Sequence, residues 1–212
     1  MILEQNRWYD FGDFKALLDE RQRSTESADY FCHTRSKWLR EAWIAGEFGE
    51  HVCVHHIRLA RESDWPNFQV VLEDGSQLNC EAVEADRNRH RGDEYREAKK
   101  LGYPIEHVSQ EEMRARRQCI PAALSSAIQR KLDSMNPKGI AALVISLNIG
   151  GGIWRAEIEP VIAQKTAKAL ERFNPVWTLW GGRLYRTYPE GRLSIESKRS
   201  LRTRHHSHSI IS

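Results

Sequence analysis

The sequence has no C-x-x-C pair. Its four cysteines, Cys32, Cys53, Cys80 and Cys119, are widely spaced, which excludes zinc-ribbon and dithiol redox motifs. They read as reduced thiols, with Cys80 in a strand and Cys53 in an apolar run acting as small hydrophobes. No apolar stretch approaches the length of a membrane span. The N-terminus, Met1 to Arg7, carries an acid where a secretory signal needs an apolar run, so the expected location is cytoplasmic. Gly150-Gly151-Gly152 lacks the Lys-Ser/Thr pair of a P-loop and reads as a plain loop. Net charge is only +3, little for a protein that coats nucleic acid.

What is present is one domain's worth of chain: 212 residues, 40% hydrophobic and 29% charged, enough to bury a core without disulfides. Positive charge gathers at the end. From Arg183 onward there are seven Lys or Arg against two Glu, and the run from Lys198 to Arg204 is followed by His205, His206 and His208. Such a segment is either a solvated extension or an arm that contacts phosphates. The expected organisation is an N-terminal lead-in over 1–23, an α/β domain over 24–190 and a disordered basic tail over 191–212.

Residues 1–23, polar with scattered aromatics, suit a short helix or a wrap over the core. Ser24 or Thr25 is a candidate N-cap for a helix running to about Phe48, with Phe31, Trp38, Ala42 and Ala45 on one face and Gly46 and Gly49 near its end. His51 to Leu59 alternates as a strand. Phe68 to Glu73 and Gln77 to Glu84 flank Asp74-Gly75-Ser76 as a hairpin. The charged stretch from Asp86 to Arg117 predicts a surface segment with a short helix near 93–101. Pro121 is expected to open a helix that closes at Asn136-Pro137, before a continuous apolar strand from Ile140 to Leu147. That order requires a crossover connection beside an earlier strand. Pro160 is expected to start a further helix, and Gly181-Gly182 to turn a final hairpin between Val176–180 and 183–188.

The order helix, three strands, helix, strand, together with Pro66-Asn67-Phe68, Glu81-Ala82-Val83-Glu84-Ala85 and His90-Arg91-Gly92-Asp93-Glu94-Tyr95, resembles the PD-(D/E)XK nuclease superfamily over about residues 24–147. The match is nearest to a bacterial group with P-D-F, E-x-x-E-A and R-R-G-D-E-Y segments. The resemblance implies a restriction-endonuclease-like α/β core, here with an added helix and a C-terminal hairpin. It also implies a Mg²⁺- or Mn²⁺-dependent endonuclease that hydrolyses DNA phosphodiesters. Carboxylates suit that chemistry because Mg²⁺ prefers hard oxygen ligands and activates water for attack on phosphate.

Glu81 is the main candidate ligand, against the alternative of a solvated strand-edge acid. Glu84 ranks below it, because strand residues three apart face opposite ways unless a bulge intervenes. Asn67 stands where the family has Asp, which removes one anionic ligand; Asp64 is a possible substitute. Val83 replaces the family's strand lysine. Lys131 lies in phase with Leu124, Ile128 and Met135 on the following helix, and is either the displaced cation or a lysine snorkelling at the helix margin. The resemblance implies the former. Arg87, Arg89 and Arg91 follow the Glu84 strand and suit phosphate contacts. The second class of function is a nucleic-acid- or protein-binding module that keeps the fold with a weakened metal site.

Overall fold

The computed structural model describes residues 2–25, 37–61, 64–86, 100, 109–134, 141–149 and 154–196. Along them run β1 (Trp8–Asp10), α1 (Phe11–Ser24), α2 (Lys37–Val52), β2 (Val54–Leu59), β3 (Phe68–Leu72), β4 (Gln77–Ala85), α3 (Gln110–Ser134), β5 (Ala141–Leu147), α4 (Arg155–Ala167), a 3-10 turn (Lys168–Glu171), β6 (Phe173–Trp180), β7 (Arg183–Thr187) and β8 (Leu193–Glu196). The eight strands form one mixed sheet in chain order. Its wings, β1 to β4 and β6 to β8, are antiparallel, while β4, β5 and β6 run parallel. Among the described residues no helix is long and apolar enough to cross a membrane.

β5 is buried at all seven positions because helices cover both of its faces. Ala142 and Val144 pack with Leu18 of α1 and Phe48 of α2. Leu143 and Ile145 pack with Leu124 of α3 and Ile162 of α4. Phe48 anchors the first layer, with its ring 6.0 Å from Phe68 and 4.9 Å, edge-on, from Trp177. Trp177 and Trp180 are both buried, as expected for a hairpin packed on the core.

The hairpins and the crossover are where the sequence puts them, and the positive φ angles of Gly75, Gly181 and Gly182 make the two turns. Several helix limits differ. Asp10 caps α1 by accepting from the Gly12 N–H at 2.9 Å, so Ser24 and Thr25 end a helix rather than start one. α2 continues past Phe48 to Val52, which moves the start of β2 from His51 to Val54. Its glycines do not terminate it. They admit α1, since a Cβ on Gly46 would lie 2.9 Å from Leu18 Cδ2 and one on Gly49 only 2.3 Å from Phe11 Cε2.

Neither Pro121 nor Pro160 opens its helix; both lie inside. α3 starts eleven residues earlier than expected, where the Ser109 hydroxyl accepts from the Glu112 N–H at 3.1 Å. Each proline leaves one preceding carbonyl without its usual donor, a loss the packed face of each helix overrides. Leu193–Glu196, assigned from sequence to the basic tail, pairs with β7 as β8. Residues 197–212 of that tail, the helix expected at 93–101 apart from Lys100, Gly150 to Gly152 and Phe31 lie outside the described residues.

Close approach of α1 and α2 yields a test. Ala is favoured over Gly in a helix by roughly 1 kcal/mol, yet Gly49→Ala should destabilise by about 1–3 kcal/mol through overpacking against Phe11. The shift of the urea midpoint measures this, and in a Phe11→Ala background the same change should cost far less.

Candidate functional site

β4 is longer than the strand beside it. β3 pairs with β4 only as far as Phe68 opposite Cys80, whereas β4 continues beside β5 to Ala85. Among the described residues, the β3-side edge of β4 is therefore unpaired from Glu81 onward. Backbone groups there need other partners. The Asn67 side chain supplies one, its Oδ1 accepting from the Ala82 N–H at 2.8 Å. Arg130 of α3 supplies the other, its Nη2 donating to the Glu84 carbonyl at 3.0 Å.

Charged side chains converge on this gap from three elements. Lys131 of α3 donates to Glu81 of β4 and, at 2.8 Å, to Asn67 Oδ1. Asn67 Nδ2 donates to Glu41 of α2 at 3.1 Å, and Lys37 lies 3.5 Å from the same carboxylate. Glu81 and Lys131 are largely shielded, with side chains 10% and 17% exposed. Beside them opens a hollow of about 650 Å³ lined by Lys37, Arg40, Glu41, Glu84, Arg130 and Lys131, among others. Burial raises the Glu41 pKa above the ordinary carboxylate range; Lys37 and Lys131 oppose the shift and the Glu81 charge adds to it. Burial, with the Glu81 charge added, likewise pushes the Cys80 thiol up, which leaves it an inert core residue.

Asn67, Glu81 and Lys131 thus meet. Glu84 reaches the same hollow from the other side. β4 has no bulge between Cys80 and Ala85, so Glu84 faces α2, where Arg40 Nε lies 3.2 Å from it. Asp64 does not join. It sits in a turn whose N–H donates to the Arg61 carbonyl, and it lines a separate hollow with Arg58 and Gln69, so it is no substitute for Asn67. Arg87, Arg89 and Arg91 lie outside the described residues.

Sequence reasoning missed Glu41. Its signal was available: Glu41 is in phase with the buried Ile44, Ala45 and Phe48, and an acid on the apolar stripe of a helix needs a partner. Oxygen donors at the gap are two carboxylates and an amide, the right kind for a hard divalent cation. Among the described residues no three His, Cys, Asp or Glu side chains gather into a metal-binding group. No protein-family model, curated protein or solved structure matches the chain.

Two stability tests follow from this geometry. Lys131→Met leaves Glu81 shielded without its cation and should cost about 3 kcal/mol, with much of the loss recovered in a Lys131→Met/Glu81→Met double variant. Chemical denaturation of the three proteins measures it. Glu41→Gln should act in the opposite direction. Because the folded-state pKa of Glu41 is raised, the native protein binds more protons than the unfolded chain as pH climbs past 4.5, and wild-type stability falls through that window. The Gln variant should therefore gain relative to wild type at neutral pH and lose that gain in acid below 4.5, as unfolding curves across pH would reveal.

Proposed function

We propose that the chain is a nuclease-like, Mg²⁺- or Mn²⁺-assisted phosphodiester hydrolase acting on DNA, with its reacting centre at the N-terminal end of β3. The observation that carries this is the convergence of Glu41, Asn67, Glu81 and Lys131 beside a cation-lined hollow. The element order α2, β2, β3, β4, α3, β5 also supports it, being the helix, three strands, helix and strand of the PD-(D/E)XK superfamily. Glu41 and Glu81 would hold the ion, which when bound supplies charge neutralisation at phosphate and an acidified water.

The chain's own groups have separable tasks. Arg40, Lys37 and Arg130 line the hollow and give a phosphodiester its electrostatic seat. An ammonium has three hydrogens, and those of Lys131 serve Glu81 and Asn67 while leaving one for a phosphate oxygen or the attacking water. Held from two sides, that ammonium is pre-oriented toward developing negative charge. Glu84, bound to Arg40, positions that guanidinium at the hollow.

One observation favours the second reading, a binding module that holds phosphate without cutting. Asn67 Oδ1 already accepts from Lys131 and Ala82, and Glu41, Glu81 and Glu84 each have a cationic partner. In that arrangement lysine takes the place of a dication.

Asn67→Asp separates the two. A carboxylate there keeps the acceptor for Ala82 and Lys131, loses the donor to Glu41 and adds repulsion, so the variant in EDTA should melt below wild type. Mn²⁺ should restore it, with binding by calorimetry tighter than in wild type, because a ligand selective for the native state stabilises it. Cleavage of plasmid or single-stranded DNA should rise in parallel and vanish when Glu81→Ala is added. Absence of Mn²⁺ binding and of cleavage in both proteins would leave the binding module standing.

A further inference from the structure

β1, β2 and β3 carry helices on one face only. Tyr9, Ile57, Phe68 and Val70 belong to the core under α1 and α2, whereas the core under α3 and α4 takes no residue from these three strands. Among the described residues their other face is therefore uncovered. Glu81 stands on that same face of the sheet, because it alternates with the core residues Cys80 and Ala82 along β4 and meets Lys131 of α3.

Antiparallel pairing sets Trp8, Arg58, Gln69 and Asn79 in one row across the uncovered face. The Arg58 guanidinium lies 5.2 Å from the Trp8 ring centre and donates to Gln69 Oε1; Gln69 Nε2 donates to Asn79 Oδ1 at 2.7 Å. Arg58 fixes the direction of the row. A guanidinium can only donate, so the Gln69 oxygen turns to it and the Asn79 oxygen turns to Gln69, which leaves the Asn79 N–H groups without a described partner. Asn79 is two residues before Glu81 on β4, roughly 7 Å along the strand. The row thus runs from the sheet's edge to the proposed reacting centre and offers donors along its length.

Two features set this row apart from an ordinary solvated sheet face. Trp8 is 39% exposed, and the half-buried Arg58 has no carboxylate partner among the described residues. Arg58 also lines a hollow of about 480 Å³ with Asn6, Asp64, Trp65 and Gln69. There the Trp65 indole N–H is buried without an acceptor and the Asp64 carboxylate lacks a cationic partner, both among the described residues. An exposed ring suits stacking, an unpaired guanidinium suits phosphate, and a recess with a donor and an acceptor suits a base edge. A duplex keeps its base faces stacked and cannot offer them. We propose that this face carries unpaired DNA toward Glu81, with one base on Trp8, a phosphate at Arg58 and a base edge in the recess beside Trp65 and Asp64. The proposal rests on the nuclease reading and names its substrate as a single strand.

Fluorescence anisotropy tests this with the full chain and a labelled DNA strand of about twelve nucleotides, in EDTA so that nothing is cut. The strand should bind at least about tenfold more tightly than a duplex of the same sequence. Trp8→Ala should weaken strand binding about tenfold, the usual effect of losing one stacked base, while Trp8→Phe keeps most of it. Arg58→Ala should weaken it as well. Should that variant fail to fold, Arg58→Lys, which keeps the charge but not the fork, should still bind less tightly than wild type. Arg192→Ala, which removes a cation at the distant β7–β8 turn, should bind as wild type does. Equal binding of strand and duplex, no strand binding at micromolar concentration, no loss in Trp8→Ala, or an equal loss in Arg192→Ala would overturn the assignment. Adding Mn²⁺ then separates it from the nuclease reading. Binding through Trp8 without cleavage keeps the binding face and removes the nuclease, whereas strand cleavage indifferent to Trp8→Ala removes the binding face alone.

Discussion

An unpaired strand edge inside a sheet is the constraint on which the rest of this molecule turns. Where β3 ends and β4 continues, backbone donors and acceptors of β4 face a gap, and buried peptide groups are costly to leave unmatched. Asn67 and Arg130 meet that demand with side chains. Once a polar side chain is required there, its own remaining atoms require partners, and the chain of Lys131, Glu81, Glu41 and Lys37 follows outward from it. The charged cluster is thus a consequence of the strand mismatch as much as a device built beside it.

The same gap explains how acids on opposite faces of one strand come to stand at one place, Glu84 lining the hollow and Glu81 held beside it by Lys131. Glu81 faces α3 and Glu84 faces α2, and within a continuous sheet a neighbouring strand would stand between them. Here the neighbour has stopped, so helices from both layers reach the edge. α2 brings Glu41 and Arg40 from one layer, and α3 brings Arg130 and Lys131 from the other.

How much was legible in the sequence depends on whether the signal was local. The apolar run of β5, the Asp74-Gly75 and Gly181-Gly182 turns and the inward phase of Lys131 each announce themselves by periodicity or turn chemistry, whereas the meeting of Lys131 with Glu81 was implied only by the family resemblance. Pro121 and Pro160 misled because tertiary packing tolerates a proline that an isolated helix would not. Gly46 and Gly49 read as breakers only while α1 is out of view, since the reason for a missing side chain is the residue that fills its place. β8 is four residues with no strong pattern, given its strand form by β7. Glu41 is less legible for a different reason: it lies at the margin of the stripe marked by Trp38, Ala42 and Ala45, where an acid ordinarily reaches solvent, and only its phase with Ile44 and Phe48 places it inward.

Strand order equal to chain order has a consequence for synthesis. Because β1 to β8 lie in the sheet as they lie in the sequence, no strand has to be threaded between two others that are already paired. A chain emerging from the ribosome can add each new strand to the last one made, so that the sheet grows from a single advancing border. Glu41, Asn67 and Glu81 emerge well before Lys131, and the cluster closes only when α3 arrives. Among the described residues the last strand added is β8, whose four residues offer only a short template for anything further to pair with.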